Sequence, residues 1–444
     1  MSKDNINDKD ELQLSADQPT VPIIEDEEPT APGWSKKDIK HNIFVMVMLI
    51  VIFELGWEDF QIALMPYLVD LGMSNTSIGF IRAATIFTLP GLFLSPFISR
   101  KLKQKKLYAW GANMLYILMI GLLGLSVVFS EHLGLSKASL ITVTFILLIS
   151  HHFIAGFVSL PVQEFISGCI PASFRGRYNG LSHTTGAVAG LATTGLSAWI
   201  LLTQPKPTAF GYLFLIAWVI GSLGWSAALF AREKPTDSKK VPVAWSKEML
   251  LSVWHNVPFV RLTIVSFLCG ALLSGGTSYI QLYGYNELKM GYYNAAIFTT
   301  IGLVSRLATA VPIGFVVDKY GPKRFMPYWG ILQALGLAFP IILQNEWGVY
   351  LSIVSNVAFF GFFATARSIV GACIPKPEHR AGTYTVAMIV GHLGSSADKI
   401  IGGMLCDAVG YRMAFIIFAI GCILSTPAWI WVTNSLRDDR KDLY

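Results

Sequence analysis

From Asn42 onward the chain runs in apolar stretches of about 20 to 30 residues, parted by short polar breaks. A helix needs about 20 residues to cross the ~30 Å hydrocarbon layer of a bilayer, so each stretch is long enough to span one. The pattern predicts twelve spans, at 42–71, 76–99, 107–130, 139–166, 178–203, 209–231, 259–286, 293–317, 325–344, 347–373, 382–406 and 412–434. Irregular backbone facing lipid would leave its N–H and C=O groups unpaired. The spans are therefore read as helices, and the fold class as an all-α membrane protein.

Residues 1–40 break the pattern. They hold ten acidic residues, including the run Glu25-Asp26-Glu27-Glu28, with Pro22, Pro29 and Pro32 and almost no apolar periodicity. Such a segment lacks the apolar surface needed to order itself and reads as a disordered acidic tail. It has neither the basic start nor the apolar run of a signal peptide, so it is expected to stay in the cytosol.

Lysine and arginine set an orientation. With the N-terminus inside, the inner breaks hold Arg100, Lys101, Lys103, Lys105 and Lys106, then Arg175 and Arg177, then Arg232, Lys234, Lys239, Lys240 and Lys247. Lys319, Lys323, Arg324, Lys376, Arg380, Arg437, Arg440 and Lys441 follow on the same side, whereas the outer breaks hold Lys137, Lys206, Lys289 and Arg412. This bias obeys the positive-inside rule and predicts a multi-pass protein of the cell (inner) membrane with both termini cytosolic.

Composition agrees: 53% of the 444 residues are hydrophobic and 14% charged, with a mean hydropathy of +0.53. A soluble domain carries about 25% charged residues; here lipid must cover much of the surface. The net charge of +6 is spread through short breaks rather than along one face, which argues against a nucleic-acid partner. Cys169, Cys269, Cys373, Cys406 and Cys422 form neither a Cys-x-x-Cys pair nor a Cys/His cluster. No metal or other cofactor is expected. No nucleophile–base pair or Gly-rich phosphate loop points to an enzyme.

The longest polar break, about 232–258, contains Pro235, Ser238, Lys239, Lys240 and Pro242 and leaves six spans on each side. The sides echo each other. Ser-Gly-Cys-Ile-Pro at 167–171 ends the fourth span and Gly-Ala-Cys-Ile-Pro at 371–375 the tenth, followed by Arg175-Gly176 and Arg380-Ala381. The expected organisation is an acidic tail (1–40), a first six-helix bundle (41–231), a cytosolic central loop (232–258), a second bundle (259–434) and a cytosolic C-terminal tail (435–444).

Between the eighth and ninth spans lies Gly314-Phe315-Val316-Val317-Asp318-Lys319-Tyr320-Gly321-Pro322-Lys323-Arg324. With the two halves and the long middle loop, this segment resembles the GxxxD(R/K)xGR(R/K) signature of the major facilitator superfamily of transporters, over about residues 42–434. The resemblance implies twelve helices in two pseudo-symmetric six-helix bundles, and a gate motif of Gly314, Asp318, Gly321 and Arg324 that latches the cytosolic side. The first-half copy departs from the signature: Ser99 stands where the acid would be and no glycine follows, so that latch is expected to be weaker or built differently. Gly402 to Arg412, at the turn into the twelfth span, is also similar to the family. His152 of His152-Phe153-Ile154-Ala155-Gly156 occupies the arginine position of an RxxxG motif associated with proton coupling. Imidazole suits a proton relay; a histidine hydrogen-bonded inside the bundle is the alternative. Gly186, Gly190 and Gly195 of the fifth span allow close packing, without the Gly-Pro pair of drug antiporters.

Ionisable groups inside the spans carry the rest. Glu54, Glu58 and Asp59 lie in the first span, Arg82 in the second, Arg306 in the eighth, Arg367 in the tenth, and Asp398 and Lys399 in the eleventh. Facing lipid, they would together cost more than about 20 kcal/mol, so they must face a polar interior. Glu54, Glu58 and Gln61 recur at i, i+4 and i+7 on one stripe. Glu54, Glu58, Asp59 and His152 are the proton-coupling candidates. A structural ion pair between Glu58 and Arg82 is the alternative. Arg306, Lys399, Gln281 and Tyr283 are the substrate-binding candidates, with an ion pair of Asp398 to Arg306 as the alternative for that side. Tyr279 and Tyr285 complete the aromatic set of the seventh span, with the outer interfacial belt as the favoured reading for Tyr285. The expected function is a carrier for a small polar, anionic or zwitterionic solute, coupled to protons by symport and working as a monomer through alternating access. Proton-driven efflux of amphipathic compounds and a non-transporting receptor on the same fold are the alternatives.

Overall fold

The computed structural model describes residues 35–171, 174–234, 251, 253–273, 275–320, 324, 326–358 and 380–435. The tail before residue 35, most of the 232–258 loop, Arg367, the 371–375 repeat, Gly321 and the C-terminal residues from 436 lie outside this set.

Among the described residues the regular elements are helices. We number them α1 (Lys36–Asp70), α2 (Asn75–Arg82), α3 (Thr88–Ser99), α4 (Lys106–Val128), α5 (Lys137–Cys169), α6 (Arg175–Thr203) and α7 (Thr208–Ser226). The second half holds α8 (Val257–Leu273), α9 (Gly275–Ser278), α10 (Ile280–Asn286), α11 (Asn294–Tyr320), α12 (Trp329–Leu343), α13 (346–358), α14 (Arg380–Leu424) and α15 (Thr426–Thr433). Seven helical runs among these residues are long and apolar enough to cross a membrane on their own; one of them, Val386–Thr433, joins two of the predicted spans. The joint is Gly410, whose φ of +79° breaks the helix in the left-handed region that glycine tolerates.

Local chemistry sets the ends and breaks. Ser35, Ser74 and Ser136 cap α1, α2 and α5 by accepting the N–H of the residue three further on. Pro90 cannot donate to Ile86, and the second span tightens into a 3-10 turn over Ala83–Phe87 just after Arg82. The seventh span, expected to be continuous, is interrupted at Tyr279, which turns the chain from α9 into α10.

Packing follows helical stripes. α1 buries Asn42, Val45, Met46 and Leu49 at helical spacing, and lies against α6 and α7. α4 packs on α5 and α7, and α3 on α5; in the second half α14 packs on α8 and α12. The two groups meet where α2 lies along α14 and α6 along α11. Outward faces stay apolar, as at Phe93, Phe97, Ile146, Trp199, Leu223 and Ile420, which suits lipid contact.

Candidate functional site

The seam between the groups is built first from missing side chains. A Cβ at Gly190 of α6 would stand 2.9 Å from Cγ of Glu58 and 3.1 Å from Cδ1 of Leu303, and one at Gly186 would stand 3.1 Å from Cγ of Glu54. Two glycines one turn apart thus give two carboxylates one turn apart their room. Gly195 has nothing within 4 Å of the same position, so it plays no part here. Across the seam, Arg306 of α11 interacts electrostatically with both carboxylates. Its Nη2 lies 3.3 Å from Nδ1 of His183 on α6.

Asp59 turns the other way. It is fully buried, and its Oδ1 accepts from Thr193 Oγ1 at 2.8 Å and from Ser197 Oγ, both on α6. Its Oδ2 has no hydrogen-bond partner among the described residues. Asp59 therefore ties α1 to α6, apart from the Glu54–Glu58 stripe.

A second group is basic. His152 of α5 interacts electrostatically with Lys399 and His392, both of α14, and Lys399 interacts with Arg82 and Asp398. The electrostatic relations differ from the alternative pairings weighed from sequence. Arg82 faces Asp398 and Tyr279, not Glu58, and donates from Nη1 to the Ser278 carbonyl at 3.0 Å. Arg306, expected to meet Asp398, faces Glu54 and Glu58. Packing explains the difference: Gly79 lets α2 sit against α14 beside Lys399, its Cβ position 2.4 Å from the Lys399 carbonyl oxygen, while α11 lies on α6. His151, the neighbour of His152, is held inside the bundle: its Nδ1 lies 3.0 Å from the Tyr116 carbonyl, and its ring stacks on Tyr116 at 3.8 Å. Tyr283 departs from its expected place on the solute path. It is buried between Tyr411 and Phe415, at 5.9 and 5.7 Å between ring centroids, because α10 turns that face into its own half.

On the face predicted to be outer, the halves are tied together. Tyr279 Oη donates to the Lys399 carbonyl at 2.7 Å. Asp407 accepts the N–H of Asn75 at 3.1 Å and of Thr76 at 2.8 Å, and Asn75 Nδ2 at 2.8 Å. A carboxylate at the first turn of α2 is favoured by the helix dipole. Tyr411 Oη donates to Asn75 Oδ1, and Asn286 Nδ2 donates to Tyr411 Oη at 2.6 Å.

On the opposite face the first half finds its acid elsewhere. Ser99 Oγ donates to Glu164 of α5 at 2.6 Å, and the same carboxylate meets the buried Lys105 ammonium at 3.3 Å. Glu233 accepts the backbone N–H groups of Lys105 and Lys106, capping α4. The departure at Ser99 is thus matched by an acid from another helix. In the second half, Arg324 is exposed; the side chains of Gly314 and Asp318 lie outside the described set, as does Gly321.

Two cavities open on this machinery. A polar one of about 170 Å³ is lined by Gln61, Arg82, Thr277, Ser278, Gln281 and Thr299, with residues from both halves. A larger, mostly apolar one of about 290 Å³ is lined by Phe53, Leu92, Tyr116, Val158, Trp225 and Met388, among others. Among the described residues no three of His, Cys, Asp and Glu gather as metal ligands would. Sequence reasoning missed His183, His392 and Glu164, and gave Asp407 no role beyond its place in the Gly402 to Arg412 segment. The two histidines carried a readable signal, a titratable group inside an apolar span; Glu164 and Asp407 matter only through their partners.

Residues 43–309 and 295–442 match the sequence profile of the Major Facilitator Superfamily. The chain is 29% identical over 157 residues to dipeptide and tripeptide permease B of Aliivibrio fischeri, a match covering 34% of this chain and 31% of the permease. It is 24% identical over 233 residues to autophagy-related protein 22-1 of Phaeosphaeria nodorum, covering 47% of this chain and 41% of that protein. The matches thus span about a third and two fifths of those relatives. Among solved structures, the D-xylose-proton symporter superposes with a TM-score of 0.67 at 16% identity, over 89% of this chain and 99% of the symporter. The nucleoside transporter NupG gives 0.64 at 14%, over 88% and 98%. A POT family transporter in complex with 5-aminolevulinic acid gives 0.64 at 14%, over 87% and 94%. At these identities the likeness is one of fold: twelve transmembrane helices in two bundles.

Proposed function

The chain belongs to the Major Facilitator Superfamily, and on that premise we propose that it is a proton-coupled symporter for a small organic solute, anionic or zwitterionic. Membership makes it a multi-pass membrane transporter and not an enzyme. In the proposed cycle the bundles at 41–231 and 259–434 rock about their seam, in a monomer with both termini cytosolic. The orientation rests on the Lys and Arg bias.

One observation carries the reading: Glu54 and Glu58 lie against Gly186 and Gly190 of α6, with Leu303 of α11 also at Gly190, and Arg306, three residues on from Leu303, interacts electrostatically with both carboxylates. Two carboxylates one turn apart repel in a low dielectric, and uptake of a proton relieves the repulsion. A proton on Glu58 also leaves Arg306 with Glu54 as its counter-charge, so one proton changes the charge of the seam by one. Proton and anion together keep the moving seam near neutral, the state that least resists passage through the bilayer. Lys399 and Gln281 belong to the solute side of this scheme, and His152, facing Lys399, to the proton side. The relatives support the solute class. The permease is named for di- and tripeptides and the POT structure holds 5-aminolevulinic acid; both kinds of compound pair a carboxylate with an amine.

The test is uptake into proteoliposomes with an imposed pH gradient, using dialanine, 5-aminolevulinic acid, uridine and D-xylose as solutes. Wild type should accumulate a zwitterion uphill. Glu58→Gln should lose accumulation while keeping solute exchange; full accumulation by that variant would sink the proton role.

The apolar cavity favours a second reading, proton-driven efflux of amphipathic compounds. Inverted vesicles loaded with a pH dye separate the two by the direction of the proton flux that a solute drives.

A further inference from the structure

We propose that the polar cavity around Arg82 is the subsite for the carboxylate of the transported solute, and that the solute is a monocarboxylate whose other end carries an amine, hydroxyl or amide. The inference rests on the reading as a carrier of anionic or zwitterionic solutes and gives that reading an address. Arg306, the arginine that sequence favoured for the anion, faces two carboxylates of its own. Arg82 does not.

The cavity has the features of a built anion site. Arg82 has five N–H donors, and among the described residues its one hydrogen bond is to the Ser278 carbonyl, at 3.0 Å. That bond anchors one edge of the guanidinium, while the side chain lines the cavity. A planar fork held in place suits the two oxygens of a carboxylate. The same cavity is lined by two amides, Gln61 and Gln281, and two hydroxyls, Thr277 and Thr299, beside the apolar Leu64 and Met65; the polar groups can take a second polar function. The charge nearby suits a single anion: Arg82 and Lys399 bring two positive charges and Asp398 one negative. One monoanion neutralises the excess, and a dianion would overshoot. The volume of about 170 Å³ corresponds to roughly six waters, enough for a small metabolite end and too little for an acyl chain.

Position agrees. The cavity is walled by α1 and α2 from one half and by α9, α10 and α11 from the other, and Tyr279, whose hydroxyl ties α10's entry to the Lys399 carbonyl, closes the adjoining seam. The backbone break at Tyr279 places the Ser278 carbonyl at Arg82, so the interruption of the seventh span and the anion site are one feature.

The test uses a thiol in the wall. Thr299→Cys is introduced into the full chain; the four described native cysteines are buried, and wild type serves as the labelling blank. Labelling rates are measured with the anionic sulfonatoethyl and the cationic trimethylammonium-ethyl methanethiosulfonates, each relative to its rate with a free thiol in solution. The anionic reagent should be favoured at least about tenfold, and Arg82→Gln should bring the ratio to about one. Labelling by neither reagent, or a ratio that Arg82→Gln leaves unchanged, would overturn the proposal. Arg82→Lys guards against misfolding of the glutamine variant, since it keeps the charge and loses the fork. It should retain the preference but abolish the protection of the introduced thiol that 5-aminolevulinic acid, lactate or dialanine gives. Protection by none of these acids, or equal protection by their methyl esters, would also overturn it. A protecting acid that is never taken up uphill would sink the transport reading and leave the site; uphill uptake of an acid that does not protect would do the reverse.

Discussion

The carboxylate of Asp407, at the end of the eleventh span, receives the backbone N–H of Thr76, on the first turn of α2, at 2.8 Å. The two residues are 331 positions apart and belong to opposite halves, so the bond can persist only while the predicted outer face is closed.

Asp407→Asn should therefore open that face more often. The change weakens hydrogen bonds to a charged acceptor, each worth about 1.5–3 kcal/mol, and removes a favourable dipole contact. We expect a Gln281→Cys thiol in the same chain to react with an impermeant reagent from the outer side at least about tenfold faster. An unchanged rate would mean that Tyr279 and Tyr411 hold the closure without Asp407.

Gly190→Ala puts a methyl group 2.9 Å from Cγ of Glu58 and 3.1 Å from Leu303. Overpacking of this kind costs about 1–3 kcal/mol, and here its first effect is to move a coupling carboxylate. Uphill uptake should fall well below that of Gly195→Ala, where no atom lies in the way. Equal uptake by the two variants would separate Glu58 placement from coupling.

Asp59 and Glu58 are neighbours in sequence with different expected consequences. Asp59→Asn keeps an acceptor for Thr193 and Ser197 and should leave coupling largely intact. Asp59→Leu orphans the Thr193 hydroxyl in a buried site, at about 1–3 kcal/mol, leaves Ser197 the Thr193 carbonyl alone, and should lower the melting temperature of the purified protein. Loss of coupling in a well-folded Asp59→Asn chain would return Asp59 to the proton path.

Glu164→Gln removes the ionic partner of Lys105, whose side chain is 1% exposed. An uncompensated buried charge costs about 3–5 kcal/mol, so this variant should melt at clearly lower temperature. Asp38→Asn, which breaks the more exposed pair with Arg232, should cost less than about 1 kcal/mol. Similar melting temperatures for the two variants would contradict the assignment.

The architecture is legible in the chain alone. Twelve apolar stretches, the charge bias between breaks, and the Gly314–Arg324 signature are written along it, because lipid acts on each span separately and leaves its mark locally. The Glu54–Glu58 stripe is readable for the same reason: helical period alone puts two residues four apart on one face. Partnership is not readable. Whether Arg82 meets Glu58 or Asp398, whether Ser99 has an acid, and which arginine faces carboxylates of its own depend on helices brought together from far along the chain. Glycines at 79, 186 and 190 set how closely those helices approach, and a break at Tyr279 exposes one carbonyl. These contacts arise from packing in three dimensions, between residues whose separation along the chain carries no trace of it.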